Sequence, residues 1–408
     1  MMRSRLIATK SASAKYVHFL SKPESSYFLI MTTVGLLSGL GIVMVLSSSA
    51  VRSFAQNGST YAIFIKQLGF MVTGLGLAYI GMRMRPALWG KLARRGIQLG
   101  AFALLLPLIP GLQRSVNGNS NWIGVGPVTI QPSEFAKLAL ILWCALQLKR
   151  YFEGKNAATG IQSHPAYSVA GGAAIILALI LAEKDLGTAT VVAGIVIGML
   201  FVAGISYFHI GIAGAIAAVV GGALTITNEN RLSRFKAIGN PFDPAIYKFA
   251  GWQPAHGLMG LASGGFFGVG IGASRQKWAN LAEAHTDFIF SVIGEEMGLL
   301  GTVLVVLTYG TLVYAIFRIA INAKDLFEKF AVAGVACWIV LQVLINLFTN
   351  VGIVPVIGVT LPFISYGGSS LWASYLGIAF VLNVARRDPA VKAALSRNKK
   401  EKRSAKSE

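Results

Sequence analysis

Long apolar runs limit this chain more than any other feature: there are about ten, most of them roughly 16 to 25 residues long, the length at which a helix crosses the hydrocarbon core of a bilayer. They fall near 27–47, 61–82, 97–112, 135–148, 167–182, 188–205, 208–226, 299–319, 330–351 and 369–384. With 54% hydrophobic residues, 13% charged and a mean hydropathy of +0.63, the composition lies outside that of ordinary soluble domains. The expected fold is therefore an all-α polytopic membrane protein. It has about ten transmembrane helices and a large extracytoplasmic loop between the seventh and eighth.

A formal charge of +20 raises the question of nucleic acid, and the placement of the cations answers it. Arg3, Arg5, Lys10, Lys15 and Lys22 precede the first run, and Arg83, Arg85, Lys91, Arg94 and Arg95 separate the second and third. Lys149, Arg150 and Lys155 follow the fourth, Arg318, Lys324 and Lys329 separate the eighth and ninth, and a basic tail begins at Arg386. With ten spans all of these fall on one face, which the positive-inside rule assigns to the cytoplasm. No nucleic-acid partner is expected, and both termini are expected inside a multi-pass cytoplasmic membrane protein. The organisation is then a basic segment 1–26, a membrane domain 27–386 with an external loop 227–286, and a basic tail 387–408. The first run is long enough to anchor rather than serve as a cleaved signal, and the tail from Asn398 is expected to lack structure. Cys144 and Cys337 each lie inside an apolar run, so they indicate neither a disulfide framework nor a metal cluster. No metal site is expected, and the sequence leaves open whether a divalent cation takes part.

The opposite face is not simple. Glu283-Ala284-His285-Thr286-Asp287-Phe288-Ile289-Phe290 sets ionisable groups at the edge of apolar sequence, where a carboxylate is costly unless it faces water, a partner or a substrate. Asp287 is a functional candidate on that ground, against the plainer reading of a helix-end carboxylate. The segment 227–286 exceeds ordinary inter-helix lengths and mixes aromatics with Arg231, Arg234, Lys236, Lys248, Arg275 and Lys277, a composition suited to an amphipathic anion such as a lipid phosphate. Its glycines, 264–272, read more readily as close packing than as a phosphate cradle. A turn-rich segment 113–131 leads into Pro132-Ser133-Glu134, a helix start with acid in its first turn, and Glu134 and Lys137 share a helix face. Asp185 sits in a short turn where a helix N-cap is the plain reading, and the proline- and glycine-broken stretch 350–370 suits a cavity wall.

Together these pieces resemble the SEDS family of bacterial cell-wall proteins (FtsW, RodA and SpoVE), from the first helix to Arg386. The resemblance rests on Ala284-His285-Thr286-Asp287-Phe288-Ile289-Phe290 with Ile293-Gly294-Glu295-Glu296, on Gln131-Pro132-Ser133-Glu134-Phe135-Ala136-Lys137, and on Leu361-Pro362-Phe363-Ile364-Ser365-Tyr366-Gly367-Gly368-Ser369-Ser370. Asp185-Leu186-Gly187-Thr188, and Arg231 with Arg234, match as well, and Thr360 is closer to the FtsW branch than to RodA. Departures stand at Asn121, where the family often has Arg, at Lys184, where it often has Pro, and at Ile357, where FtsW proteins frequently carry Lys or Thr.

The resemblance implies a peptidoglycan glycosyltransferase that polymerises lipid II, the undecaprenyl-diphosphate-linked disaccharide pentapeptide, at the outer face of the membrane for the division septum. Asp287 matches the family's essential acid and is expected to be the general base of an inverting transfer. Arg231, Arg234, Lys277 and Ser369 are the substrate-binding candidates, and Glu134, Lys137, Asp185 and His285 the supporting polar network. A class B penicillin-binding transpeptidase and other divisome or elongasome membrane proteins are the implied partners. A lipid II flippase and a non-catalytic scaffold recruiting the transpeptidase remain the alternatives at this point.

Overall fold

The computed structural model describes residues 22–109, 111–116, 119–125, 128–154, 165–278 and 280–404. Most of the expected segment 1–26, together with Lys155, lies outside the described residues. All ten expected spans are helices: α1 (Pro23–Asn57), α2 (Ala62–Arg83), α4 (Gly96–Leu105), α5 (Pro132–Phe152), α6 (Pro165–Ala182), α7 (Leu186–Val202), α8 (Tyr207–Ile226), α11 (Ile289–Asn322), α12 (Leu326–Asn350) and α13 (Gly368–Ala385). Between them stand the short helices α3 (Pro86–Arg94), α9 (Glu229–Lys236) and α10 (Trp252–Ser263), and α14 (Pro389–Ser404) follows. Seven of these are long and apolar enough to span a bilayer on length and composition alone. Helix α5 misses that standard because it carries Glu134, Lys137, Lys149 and Arg150.

The interior is built on α12 and α13, whose apolar windows are 72% and 83% buried, whereas that of α8 is only 6% buried and faces outward. Side-chain hydrogen bonds tie α13 to α2: Asn383 Nδ2 donates to the carbonyls of Met82 (2.9 Å) and Met84 (2.8 Å), and Trp372 Nε1 donates to that of Phe70 (2.9 Å). Helix α1 has 35 residues, about 52 Å at 1.5 Å per residue, well beyond a hydrocarbon core of about 30 Å. Its last turns therefore leave the bilayer and carry Arg52 to the face that holds Asp287, where Arg52 pairs with Glu283 at 3.1 Å.

That contact fixes the arrangement of the faces. The end of α1, the starts of α2, α5, α7 and α13, and the turn bearing Asp287 share one face. The end of α2, helix α3, the Lys149–Asp325 pair joining α5 to α12, Arg318 bound to the Lys22 carbonyl, and the Arg387–Glu328 pair lie at the other. The described basic groups that the sequence assigns to the cytoplasmic side all lie on the face opposite Asp287, whereas Arg231, Arg234 and the other cations of the 227–286 loop lie on the Asp287 side.

Four local features differ from the sequence reading. The segment before α5 carries a small antiparallel sheet, β1 (Gln113–Val116), β2 (Asn119–Val125) and β3 (Val128–Ile130), in the order β1-β2-β3. This is a minor addition to an all-α fold. Residues 83–95, read as a basic loop, contain α3. The eighth span begins at Ile289, not near Leu299, and bends at Gly298, whose φ of 66° interrupts the helix. Finally, the tail expected to lack structure from Asn398 continues in α14 as far as Ser404.

Candidate active site

Asp287 ends a tight turn started by Glu283, whose φ of 57° is left-handed. The Glu283 carbonyl accepts the amides of Thr286 (3.1 Å) and Phe288 (3.2 Å), which closes the turn at the foot of α11. Two asparagines of α12 hold it from beneath: Asn346 Nδ2 and Asn350 Nδ2 each donate to the Asp287 carbonyl at 2.9 Å. Asn346 Nδ2 also donates to the Val359 carbonyl (2.8 Å), so one side chain fixes both the turn and the broken stretch that faces it. On the other side Tyr366 N donates to the His285 carbonyl (2.8 Å) and Ser365 Oγ to that of Thr286 (2.6 Å). The backbone of Asp287 is thus held by the Leu361–Ser370 motif and by α12, while no described residue hydrogen-bonds its carboxylate.

Asp287 is half-buried. Burial raises its pKa from 3.8 to about 7, the negative charge of Glu283 adds to that, and the Arg234 guanidinium works against it. Glu283 itself, though partly desolvated, is held below the usual carboxylate range by Arg52, by the Thr286 hydroxyl (2.9 Å) and by His285. Burial brings His285 down to about 4, against the attraction of Glu283 and with help from Arg52. The imidazole is therefore neutral at pH 7, while the Asp287 carboxylate is pushed up to about 7.

Two further segments face this turn. Asp185 is the N-cap of α7, its carboxylate accepting from Thr188 N (2.9 Å) and Thr188 Oγ1 (2.8 Å). It also accepts from Asn121 Nδ2 (2.5 Å) and Gln131 Nε2 (3.1 Å), so the unusual Asn121 supplies a hydrogen bond to the cap. Gly187 admits the Ile357 carbonyl, which would lie 2.2 Å from any Cβ built there, and the following Gly358, with φ 77°, passes close to the Asp287 carboxylate. Arg234 Nη1 donates to the Val356 carbonyl (3.0 Å) in the same stretch, and Arg231 to those of Leu224 (3.1 Å) and Lys184 (3.0 Å). Arg234 remains exposed and keeps donors free for an anion.

The other candidates are tied elsewhere. Lys277 pairs with buried Glu296 (3.7 Å) and donates to the Gly272 carbonyl, which ties it into the loop 272–277. Ser369 Oγ is buried and accepts from Gln131 N (2.9 Å), joining α13 to the start of α5. Glu134 and Lys137 form an ion pair at 2.8 Å with side chains 7% and 1% exposed, and the ammonium lies 5.1 Å over the Trp338 ring. It is a buried pair, not the surface pair that helix spacing alone would suggest. Among the described residues no three His, Cys, Asp or Glu side chains gather as a metal site.

Arg52, Asn346, Asn350 and Glu183 were not anticipated. Both carboxylate oxygens of Glu183 are buried without a hydrogen-bond partner, and burial together with Asp185 raises its pKa to about 8. For Asn346 the sequence signal is a polar residue with apolar sequence on both sides, whereas Arg52 and Glu183 stand among other polar residues and carry no such signal.

A polytopic helical bundle with a half-buried, backbone-clamped acid at one end, acted on by the charge of an exposed arginine, defines a membrane protein with a candidate acid–base site at one face. The chain belongs to the FtsW, RodA and SpoVE family of cell cycle proteins, whose family model matches residues 27–389. It is 36% identical over 388 residues to the probable peptidoglycan glycosyltransferase FtsW of Mycobacterium tuberculosis, covering 94% of this chain and 72% of that protein. To the stage V sporulation protein E of Bacillus subtilis it is 36% identical over 367 residues, covering 90% and 98%. Among solved structures, a chain of a peptidoglycan synthase complex that coordinates polymerization and crosslinking superposes with a TM-score of 0.68 at 27% identity, covering 88% of this chain and 97% of that one. The rod shape determining protein RodA of Thermus thermophilus gives 0.62 at 28% identity, covering 88% and 95%.

Proposed function

We propose that this protein is a peptidoglycan glycosyltransferase that polymerises lipid II, with Asp287 as the general base. The observation that carries the reading is the state of Asp287, a half-buried carboxylate held by its backbone, free of hydrogen bonds among the described residues and titrating near neutral pH. The acceptor sugar hydroxyl gives its proton to Asp287 as its oxygen bonds to the anomeric carbon of the donor. The bond from that carbon to the diphosphate oxygen breaks, and the electron pair leaves with the diphosphate. A base of pKa near the working pH combines a useful ionised fraction with a useful proton affinity. Arg234 has donors to spare for the leaving diphosphate, where charge builds in the transition state. Arg231 braces the loop through two backbone carbonyls and adds to the same field. His285, neutral and buried, positions the turn. The pair Glu134–Lys137, the N-cap at Asp185 and the bond from Gln131 N to Ser369 Oγ hold the walls, and Lys277 holds its own loop.

Orientation belongs to the same proposal. The basic face is cytoplasmic by the positive-inside rule, which puts Asp287 at the outer face, where a lipid-linked donor is consumed. The relatives' names support the septal polymerase reading, and the likeness to a chain of a synthase complex supports a class B penicillin-binding transpeptidase as partner. The test is strand formation from lipid II by the purified chain with such a partner. Lipid II crossing vesicles without strands would favour a carrier, and neither result with partner binding intact would favour a scaffold.

A further inference from the structure

On the face opposite Asp287, α3 stands between the end of α2 and the start of α4 with its two sides unlike. Trp89 and Ala93 are buried, Trp89 edge-on to Phe380 of α13 with ring centroids 5.1 Å apart, while Leu88 and Leu92 are 43% and 39% exposed. Arg83, Arg85, Lys91, Arg94 and Arg95 are all exposed around it, and no carboxylate among the described residues pairs with any of them. A cleft of about 600 Å³ opens between α3 and the end of α2, walled by Tyr79, Ile80 and Leu88 and rimmed by Arg83, Arg85 and Lys91. The Arg83 guanidinium lies 4.1 Å over the Tyr79 ring, which holds one cation where the apolar wall meets the rim.

We infer that this cleft is a binding site for an anionic phospholipid of the leaflet bordering that face, with the phosphate on Arg83, Arg85 and Lys91 and an acyl chain along Tyr79, Ile80 and Leu88. Three unpaired cations at the end of a membrane helix attract an anion, and the apolar wall below them selects one that carries hydrocarbon over a soluble one. Arginine's planar fork suits phosphate oxygens, and the exposed leucines extend the wall into the bilayer. The site is separate from that of the lipid-linked donor, since α2 crosses the membrane between Arg83 and the Asp287 face. It rests on the membrane embedding of the chain and not on the polymerase reading.

The test uses the full chain purified in detergent, with phosphatidylglycerol and phosphatidylcholine added in equal amounts and bound lipid counted by native mass spectrometry. Phosphatidylglycerol is expected to be retained at least 10-fold over phosphatidylcholine. The triple variant Arg83→Gln, Arg85→Gln, Lys91→Gln should lose that preference, whereas Lys324→Gln, Lys329→Gln, Lys392→Gln, which removes the same charge elsewhere on the face, should keep it. The charge-keeping variant Arg83→Lys, Arg85→Lys should retain much of it even if the triple variant folds poorly. Equal retention of the two lipids, or an undiminished preference in the folded triple variant, would overturn the inference. Displacement of phosphatidylglycerol by glycerol phosphate at equal concentration would also overturn it, because the acyl wall would then contribute nothing.

Discussion

For Asp287 the neutral form is favoured by burial and by Glu283, and the charged form by Arg234. Base catalysis needs the charged form, so the rate of strand formation should rise with pH through about 7 and level off above it. Glu283→Gln removes the neighbouring charge and should move that limb to lower pH, while Arg234→Ala should move it to higher pH. Rate profiles from pH 5.5 to 8.5 decide both, and unmoved limbs would show that another group titrates. Stability follows the same linkage. The folded-state pKa of Asp287 is raised, so its contribution is fully present below the ordinary value of 3.8 and is lost as pH rises through about 7. Asp287→Asn should therefore have a higher melting temperature than the native chain at pH 8, with the gain shrinking toward pH 5. At Glu134 and Lys137, removal of either partner strands a buried charge, which costs about 3–5 kcal/mol. Either single change to Ala should lower thermal stability with activity, and Glu134→Lys with Lys137→Glu should recover part of both. Stable but inactive single variants would move the pair into the chemistry. Asp287 could be read from sequence because an acid at the edge of apolar sequence needs a reason. Arg52 could not, because its partner Glu283 lies 231 residues away, nor could Asn346 and Asn350, which act on a backbone carbonyl 59 and 63 residues distant.

Helices were legible wherever burial and length coincided, and failed to be where polar groups are satisfied inside the protein. Helix α11 shows why. Its first turns carry Glu295 and Glu296, which look unsuited to a membrane helix, yet Glu295 accepts from Ser274 Oγ (2.5 Å) and Arg275 N (2.9 Å), and Glu296 from Ser47 Oγ (2.5 Å). These bonds bind the loop 272–277 to the half-helix above the bend and displaced the expected start of the span. Of the glycines read as packing, Gly264 and Gly268 do pack against the start of α11, whereas Gly265, Gly270 and Gly272 have open space where a Cβ would stand. The Gly265 and Phe266 carbonyls accept from Leu299 N (2.9 Å) and Leu300 N (3.2 Å), replacing helix bonds lost at Gly298. A Cβ at Gly298 would sit 2.4 Å from Gly268 N, at a left-handed φ. Gly298→Ala should thus cost at least the 1–3 kcal/mol, roughly, of backbone strain. Gly310→Ala, in the open middle of the same helix, should be neutral or stabilise by up to about 1 kcal/mol. Thermal unfolding of the two variants is the check, and equal melting temperatures would refute the role of the bend. Helix α3 escaped the sequence reading because its nine residues carry Lys91 and Arg94 and are flanked by Arg83, Arg85 and Arg95, so the stretch resembles a charged loop.

Across the whole molecule, the alternation of faces was readable from charge alone, since each basic group follows or precedes a span of the right parity. What charge could not supply was the convergence of 183–187, 283–288 and 356–370, three segments joined through backbone carbonyls that any sequence possesses. Orientation has a direct check, because native Cys144 and Cys337 are buried and give little background. In intact cells an impermeant thiol reagent should label a cysteine placed at Asn240 and spare one at Lys324; the reverse pattern would invert the protein. The polymerase account itself stands on one carboxylate. Its most direct test is strand formation from lipid II by purified Asp287→Asn beside the native chain, each with the transpeptidase partner and each checked for an intact thermal transition. The account predicts a fall of about 100-fold or more, the usual scale for loss of a general base. Strands formed by Asp287→Asn at near-native rate would contradict it.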